Sequence, residues 1–152
     1  MTQVYDLLDI IKGEFESSSY TNEVRFGDVS EVDLQKDTLF PLAHFWMDSA
    51  TYDSRVLRFN VRIMLLDVVD ENKHSPDSFA GKGNFHDILN TQYANANTFL
   101  SKFVDRRGAL AEQKYVLVGE PRVEMLYEEF ENKLAGWGID MTVEVPNTFS
   151  GC

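Results

Sequence analysis

Clustered carboxylates are the side chains of this sequence that could carry acid–base chemistry. Two carboxyl groups at a suitable separation can act as the general acid and the general base of a hydrolysis. The densest acidic group comprises Glu124, Glu128, Glu129 and Glu131. Acidic runs are more often solvated surfaces, and spacing along the sequence shows no cleft. We therefore expect no enzymatic activity, and a small acidic hydrolase that uses these carboxylates is the alternative.

The other residues that commonly catalyse reactions or bind metals lack the spacing of a site. His44, His74 and His86 do not have metal-ligand spacing, and none is paired with a cysteine. Cys152, the last residue, is the single cysteine, and one thiol cannot form an intramolecular disulfide. The sequence also contains neither a nucleophile elbow nor a Walker A loop. We expect no catalytic residue, no metal and no cofactor.

The charge balance excludes several classes of partner. The chain has 152 residues, with 14 Lys and Arg against 25 Asp and Glu, and its formal net charge is −11. Such a composition argues against a basic face that binds nucleic acid or an anionic membrane. Hydrophobic residues make up 43% of the chain, which suffices for the packed core of one domain over residues 1–152. No uncharged stretch, 38–47 included, reaches the ~20 apolar residues of a membrane helix.

Opposite charges lie in different parts of the chain. Three arginines belong to one predicted hairpin, whereas the acidic group lies in the C-terminal third. Head-to-tail association pairs two different surfaces of the same chain, and repetition of that contact can close a ring. An arrangement within one chain, or in solvent, explains the same pattern equally well. The candidate inter-subunit contacts are Arg55, Arg58, Arg62, Glu124, Glu128, Glu129 and Glu131.

Hydrophobic periodicity predicts the elements that position these charges. Apolar residues at helical spacing predict helices over residues 2–16 and about 84–105. Alternating residues predict a hairpin of antiparallel strands over 40–47 and 57–68, joined by a polar turn over 48–54. Near the end of the second strand both faces become apolar, which predicts that this end lies deeper in the fold. Further strands are predicted over 24–26, 115–118, 123–127 and 137–145.

The order of helix, strands, helix and strands predicts an α+β fold. We expect a mainly antiparallel sheet that contains the long hairpin, with the two principal helices packed on one face. Pro76, Gly81 and Gly83 among polar residues predict a loop over 70–84, which is a candidate for mobility.

Several segments of the chain resemble a group of small structural proteins from the neck and tail modules of tailed bacteriophages, including crAss-like phages. These segments span most of the chain, and their residues are typical of a fold rather than of a chemical motif. They are Thr38–His44, Met64–Asp70, Asn90–Gln92, Phe130–Trp137 and Val145–Thr148, followed by the terminal Cys152.

The resemblance implies a tail-terminator-like fold and a structural role in the virion. Such proteins form rings at the head–tail junction, as tail terminators or neck connectors, after synthesis in the cytoplasm of the bacterial host. The expected partners are copies of the same chain in a six- or twelve-fold ring, together with neighbouring neck, portal-side or tail proteins. DNA would pass through without specific binding, and a negative lumen would repel its phosphates. A monomeric phage assembly adaptor or chaperone, binding through the 70–84 loop, is a further alternative.

Overall fold

Two helices and six strands make up the described part of the chain. A computed structural model describes residues 3–27, 40–69, 85–104, 115–127 and 134–147. In chain order, the elements are α1 (Gln3–Glu16), β1 (Glu23–Phe26), β2 (Leu42–Tyr52), β3 (Val56–Val68), α2 (Phe85–Val104), β4 (Val116–Leu117), β5 (Arg122–Tyr127) and β6 (Leu134–Pro146).

The strands form one mixed sheet in the order β1, β2, β3 and β6, and both β4 and β5 pair with the far side of β6. β1 runs parallel to β2, whereas every other strand pair of the described sheet is antiparallel. The predicted α+β class, with a mainly antiparallel sheet, a long hairpin and two helices, is therefore confirmed.

The predicted polar turn over 48–54 is wrong for most of its length. β2 continues to Tyr52, which still pairs with Leu57, and the sharp turn occupies only the residues between β2 and β3. A bulge between Met47 and Ser49 shifts the register once along the hairpin. The polar side chains of this stretch indicated a turn, but they belong to a strand whose outer half lies in solvent.

The hydrophobic core lies between the helices and one face of the sheet, as the periodicity predicts. Alternate residues of β3 and β6 point to the same side and meet the apolar stripes of α1 and α2. Phe15 of α1 stacks on Phe99 of α2, with ring centroids 4.5 Å apart. Trp137 Nε1 donates a hydrogen bond to the Leu89 carbonyl at 2.8 Å, which ties α2 to β6. The buried members are Leu7, Ile11, Phe15, Ala43, Phe45, Phe59, Val61, Ile63, Leu65, Ala96, Phe99, Tyr115, Ile139, Met141, Val143 and Val145.

The opposite face of the sheet is divided into a buried end and an open end. At the buried end, Leu42, Met64, Leu66, Leu126 and Leu134 form a second apolar cluster. The prediction that this end of β3 lies deeper in the fold is therefore confirmed. Further along the same strands the side chains on this face become polar and partly exposed.

β4 and β5 act as one interrupted edge strand along β6. After β4, the Val118 amide donates to the Thr142 carbonyl at 2.9 Å, and the chain then leaves the sheet before β5 resumes the pairing. Gly119 has a φ of +69°, in the left-handed region that glycine adopts without strain. The resulting short loop carries Glu120 to the margin of the open end.

Gln92 is a polar residue in the buried face of α2, and it gives a stability prediction. It is 1% exposed, and neither of its side-chain amide atoms has a hydrogen-bond partner within the described structure. A buried polar group in this state costs about 1–3 kcal/mol. We expect Gln92→Met, which keeps the length of the side chain, to raise the free energy of unfolding by about 1 kcal/mol in urea denaturation.

Asn95, one turn later in α2, provides the control for this prediction. It is 2% exposed, accepts a hydrogen bond from Ser18 Oγ and donates one to Thr21 Oγ1, each at 2.9 Å. Asn95→Leu should therefore lower the stability, because it leaves the two hydroxyls without this partner. An equal loss of stability in both variants would contradict the assignment of Gln92 as the unsatisfied group.

Candidate assembly surface

The open end of the sheet brings together polar side chains from β2, β3 and β6, and we call this surface the open face. Strand alternation creates it: the residues between the core positions of β3 and β6 point away from the helices. Its members are Ser49, Arg58, Asn60, Arg62, Asp140, Thr142 and Glu144.

Two arginines of the open face pair with carboxylates that lie directly opposite them on β6. Arg58 Nε donates to Glu144 Oε2 at 2.9 Å, and Arg62 Nε lies 3.4 Å from Asp140 Oδ1. Both pairs are partly exposed, so solvent screens them and each contributes little to stability. The prediction that Arg58 and Arg62 contact a neighbouring subunit stays a prediction, and a neighbour would meet these arginines as paired charges.

A row of hydrogen bonds crosses the open face between the two ion pairs. Asn60 Nδ2 donates to Ser49 Oγ at 2.6 Å, and Thr142 Oγ1 donates to Asn60 Oδ1 at 2.7 Å. The row links β2, β3 and β6 and fixes the orientation of the Asn60 amide. Sequence analysis missed it, although alternation along β3 places Asn60 on the same face as Arg58 and Arg62.

Trp46 lies at the edge of the open face, where it packs against the second apolar cluster. Its Nε1 donates to Asp48 Oδ1 at 2.6 Å, and the guanidinium carbon of Arg62 lies 5.7 Å from the centroid of its ring. This distance suits a cation–π contact. Arg62 is therefore restrained by both the indole ring and Asp140.

A polar cavity of about 410 Å³ opens on this surface. Its lining carries three carboxylates and one guanidinium, so its net charge is negative. Asp48 and Glu120 form no ion pair with any described residue, whereas Asp140 lies beside Arg62. We call this cavity the acidic pocket. It is lined by Asp48, Ser49, Asn60, Val61, Arg62, Val118, Glu120, Asp140, Met141 and Thr142.

The remaining predicted contact residues lie apart from one another. Arg55 is exposed in the turn between β2 and β3. Glu124 lies on β5, 3.3 Å from Arg122. The structure thus pairs Arg58 and Arg62 with β6 rather than with Glu124. Glu128, Glu129 and Glu131, the loop over 70–84, His74 and Cys152 lie outside the described residues.

Tyr115 is a titratable residue whose environment changes its proton affinity. Burial raises the pKa of the Tyr115 phenol above its usual value of 10.0, and the nearby Asp6 carboxylate raises it further. Tyr115 belongs to the core on the helix side of the sheet. This shift therefore reflects core packing and does not activate a group at the open face.

The described ranges contain neither a metal site nor a membrane-spanning helix. No cluster of three metal-ligating side chains is present among these residues, and neither described helix is long and apolar enough to cross a membrane. No family model matches the chain, and a search of curated proteins found no significant match. The open face and the exposed turn of the hairpin are described surfaces whose charged side chains could contact another molecule.

Proposed function

We propose that the chain is a structural component of a tailed-bacteriophage virion and forms a ring at the head–tail junction. It would act there as a tail terminator or as a neck connector, without catalysis, and DNA would pass through the ring. The proposal rests on the resemblance of its sequence segments to neck and tail proteins. The α+β architecture with a long hairpin is compatible with a tail-terminator-like fold, which is part of the same proposal.

One observation supports self-assembly in particular: opposite charges that form no ion pair with any described residue lie on separate surfaces. Arg55 forms no ion pair with a described residue, and neither do Asp48 and Glu120 of the acidic pocket. Contacts between two different surfaces of one chain are heterologous, and a suitable rotation closes them into a ring. We propose six or twelve copies, with neck, portal-side or tail proteins as the neighbouring layers and the virion as the location.

In this proposal, part of the acidic excess of the chain lines the channel of the ring. With a net charge of −11, a subunit can present carboxylates to the channel and still form contacts elsewhere. A negative lumen repels DNA phosphates and lets the strand slide. A channel found to be lined mainly by basic side chains in an assembled ring would contradict this part of the proposal.

Imaging of the purified full chain tests the proposed function. Negative-stain micrographs, combined with light scattering, should show rings with a central channel, formed by the chain alone or after addition of a neck partner. Portal and tail genes beside the coding sequence would agree with this result. A stable monomer that hydrolyses a substrate and loses that activity in Glu124→Gln would instead favour the acidic hydrolase. A monomer that binds an assembly partner without entering the particle would favour the adaptor.

A further inference from the structure

Arg55 differs from the other described arginines in its electrostatic environment. Arg25, Arg58, Arg62 and Arg122 each lie 2.7–3.4 Å from a carboxylate oxygen of the same chain. The guanidinium of Arg55 has no such partner among the described residues, although its backbone amide contacts Asp53, and Arg55 lies in the exposed turn between β2 and β3. Its charge is therefore available for a contact outside the chain.

The turn that carries Arg55 is held in one conformation by hydrogen bonds. The Arg55 amide donates to Asp53 Oδ1 at 2.8 Å, and the Asn147 amide donates to the Arg55 carbonyl at 2.8 Å. Asn147 Nδ2 also donates to the Asp53 carbonyl at 3.2 Å. Tyr52, beside this turn, is 77% exposed. Tyrosine and arginine are enriched among the residues that dominate binding energy, and a preorganised turn loses little entropy on docking.

Within the described part of the chain, the acidic pocket is a surface that complements such a turn. It is concave, it has a volume of about 410 Å³, and Asp48 and Glu120 contribute charges that no described cation neutralises. Arg55 of the same chain cannot fill it. Asn60 of the lining is five residues along β3, and a rise of about 3.3 Å per residue places it roughly 16 Å from Arg55. A turn from a second copy has no such restriction.

We infer that the β2–β3 turn of one copy docks into the acidic pocket of a second copy, with Arg55 facing Asp48 and Glu120. This inference rests on the self-assembly in the proposed function and names its contact. Turn and pocket are different surfaces, so each copy uses its turn on one neighbour and its pocket on the other. The charges are exposed before docking, so the contact weakens as salt rises.

Charge reversal tests this contact in the full chain. Sedimentation of Arg55→Glu and of Glu120→Arg at low salt should each show association weakened by about tenfold or more. The double variant Arg55→Glu with Glu120→Arg should associate more strongly than either single variant, because positions 55 and 120 again carry opposite charges, although Asp48 now repels position 55. Lys12→Glu is the matched control: it makes the same change of charge at an exposed position of α1, and it should associate like the wild type. Thermal unfolding checks that all variants are folded.

The possible results separate this inference from the proposed function. If the wild type assembles and either single reversal assembles equally well, the turn is not the contact, and the ring proposal is unaffected. A double variant as weak as the single variants would also overturn the inference, because its charges do not meet. A wild type that stays monomeric at low and high salt would overturn both the inference and self-assembly by the chain alone.

Discussion

Replacing Gly136 with alanine should lower the free energy of unfolding by about 3 kcal/mol. Gly136 lies on β6 opposite Leu66, where β3 passes very close. A Cβ atom added at this position would lie 1.7 Å from the carbonyl oxygen of Leu65, so the backbone of one strand must move. The φ of +157° adds strain for any residue with a side chain. Urea denaturation followed by circular dichroism measures the loss.

Gly138 offers a matched control two residues along the same strand. An added Cβ would lie 3.5 Å from Leu126 Cδ1, which is an ordinary van der Waals distance. Gly138→Ala should therefore change the free energy of unfolding by no more than about 0.5 kcal/mol. If Gly136→Ala proved as stable as Gly138→Ala, the close approach of β3 and β6 described above would be wrong.

The second large effect is expected at Phe15, where α1 and α2 meet above the sheet. Phe15 is 1% exposed, and its ring stacks on that of Phe99 with the centroids 4.5 Å apart. Phe15→Ala removes this stack and leaves a cavity between both helices and the sheet. We expect a loss of about 4 kcal/mol in the free energy of unfolding, measured by urea denaturation.

Tyr5, ten residues earlier on α1, is the control for Phe15. It is 68% exposed, so its removal takes little apolar surface out of the core. Tyr5→Ala should change the stability by no more than about 0.5 kcal/mol. A similar loss in both variants would contradict the burial of Phe15 against α2 and the sheet, because alanine raises the helix propensity at both positions.

The periodicity of apolar residues predicted most of the helices and strands. The alternation of apolar and polar residues in β3 and β6 predicted which side chains meet the helices, because the two-residue period of a strand fixes the face. The helical spacing in α1 and α2 likewise predicted that these elements pack on the sheet. Polar composition was a poor guide in β2, where Ser49 belongs to a strand because it pairs with Asn60 of β3, and its hydroxyl also accepts from the Asn60 side chain.

Local periodicity did not predict which side chains pair between strands that are distant in the sequence. The sequence predicted the hairpin arginines and the glutamates after residue 123 as contacts between subunits, and it indicated no partner for either within the chain. The register of β3 on β6 brings Arg58 to Glu144 and Arg62 to Asp140. The equal spacing of four residues in the two pairs, on antiparallel strands, is a signal that could have suggested this pairing.

The acidic pocket depended on features that a single sequence does not display. Its margin is formed where the edge strand breaks at Gly119 and carries Glu120 beside the open face. The break itself was predicted, because Gly119 and Pro121 separate the strands predicted over 115–118 and 123–127. The partner strand does not follow from local composition, because it depends on how β4 and β5 share the same side of β6. Arg55 was predicted as a contact residue from the sequence. Only the structure shows that its guanidinium forms no ion pair with a described carboxylate.

We propose that copies of this chain assemble head to tail into a closed ring. Native mass spectrometry of the purified full chain, alone and after addition of a phage neck protein, measures the number of copies directly. The claim predicts one discrete assembly of six or twelve copies whose number does not increase with protein concentration. Single copies under every condition, or chains that lengthen continuously with concentration, would contradict it.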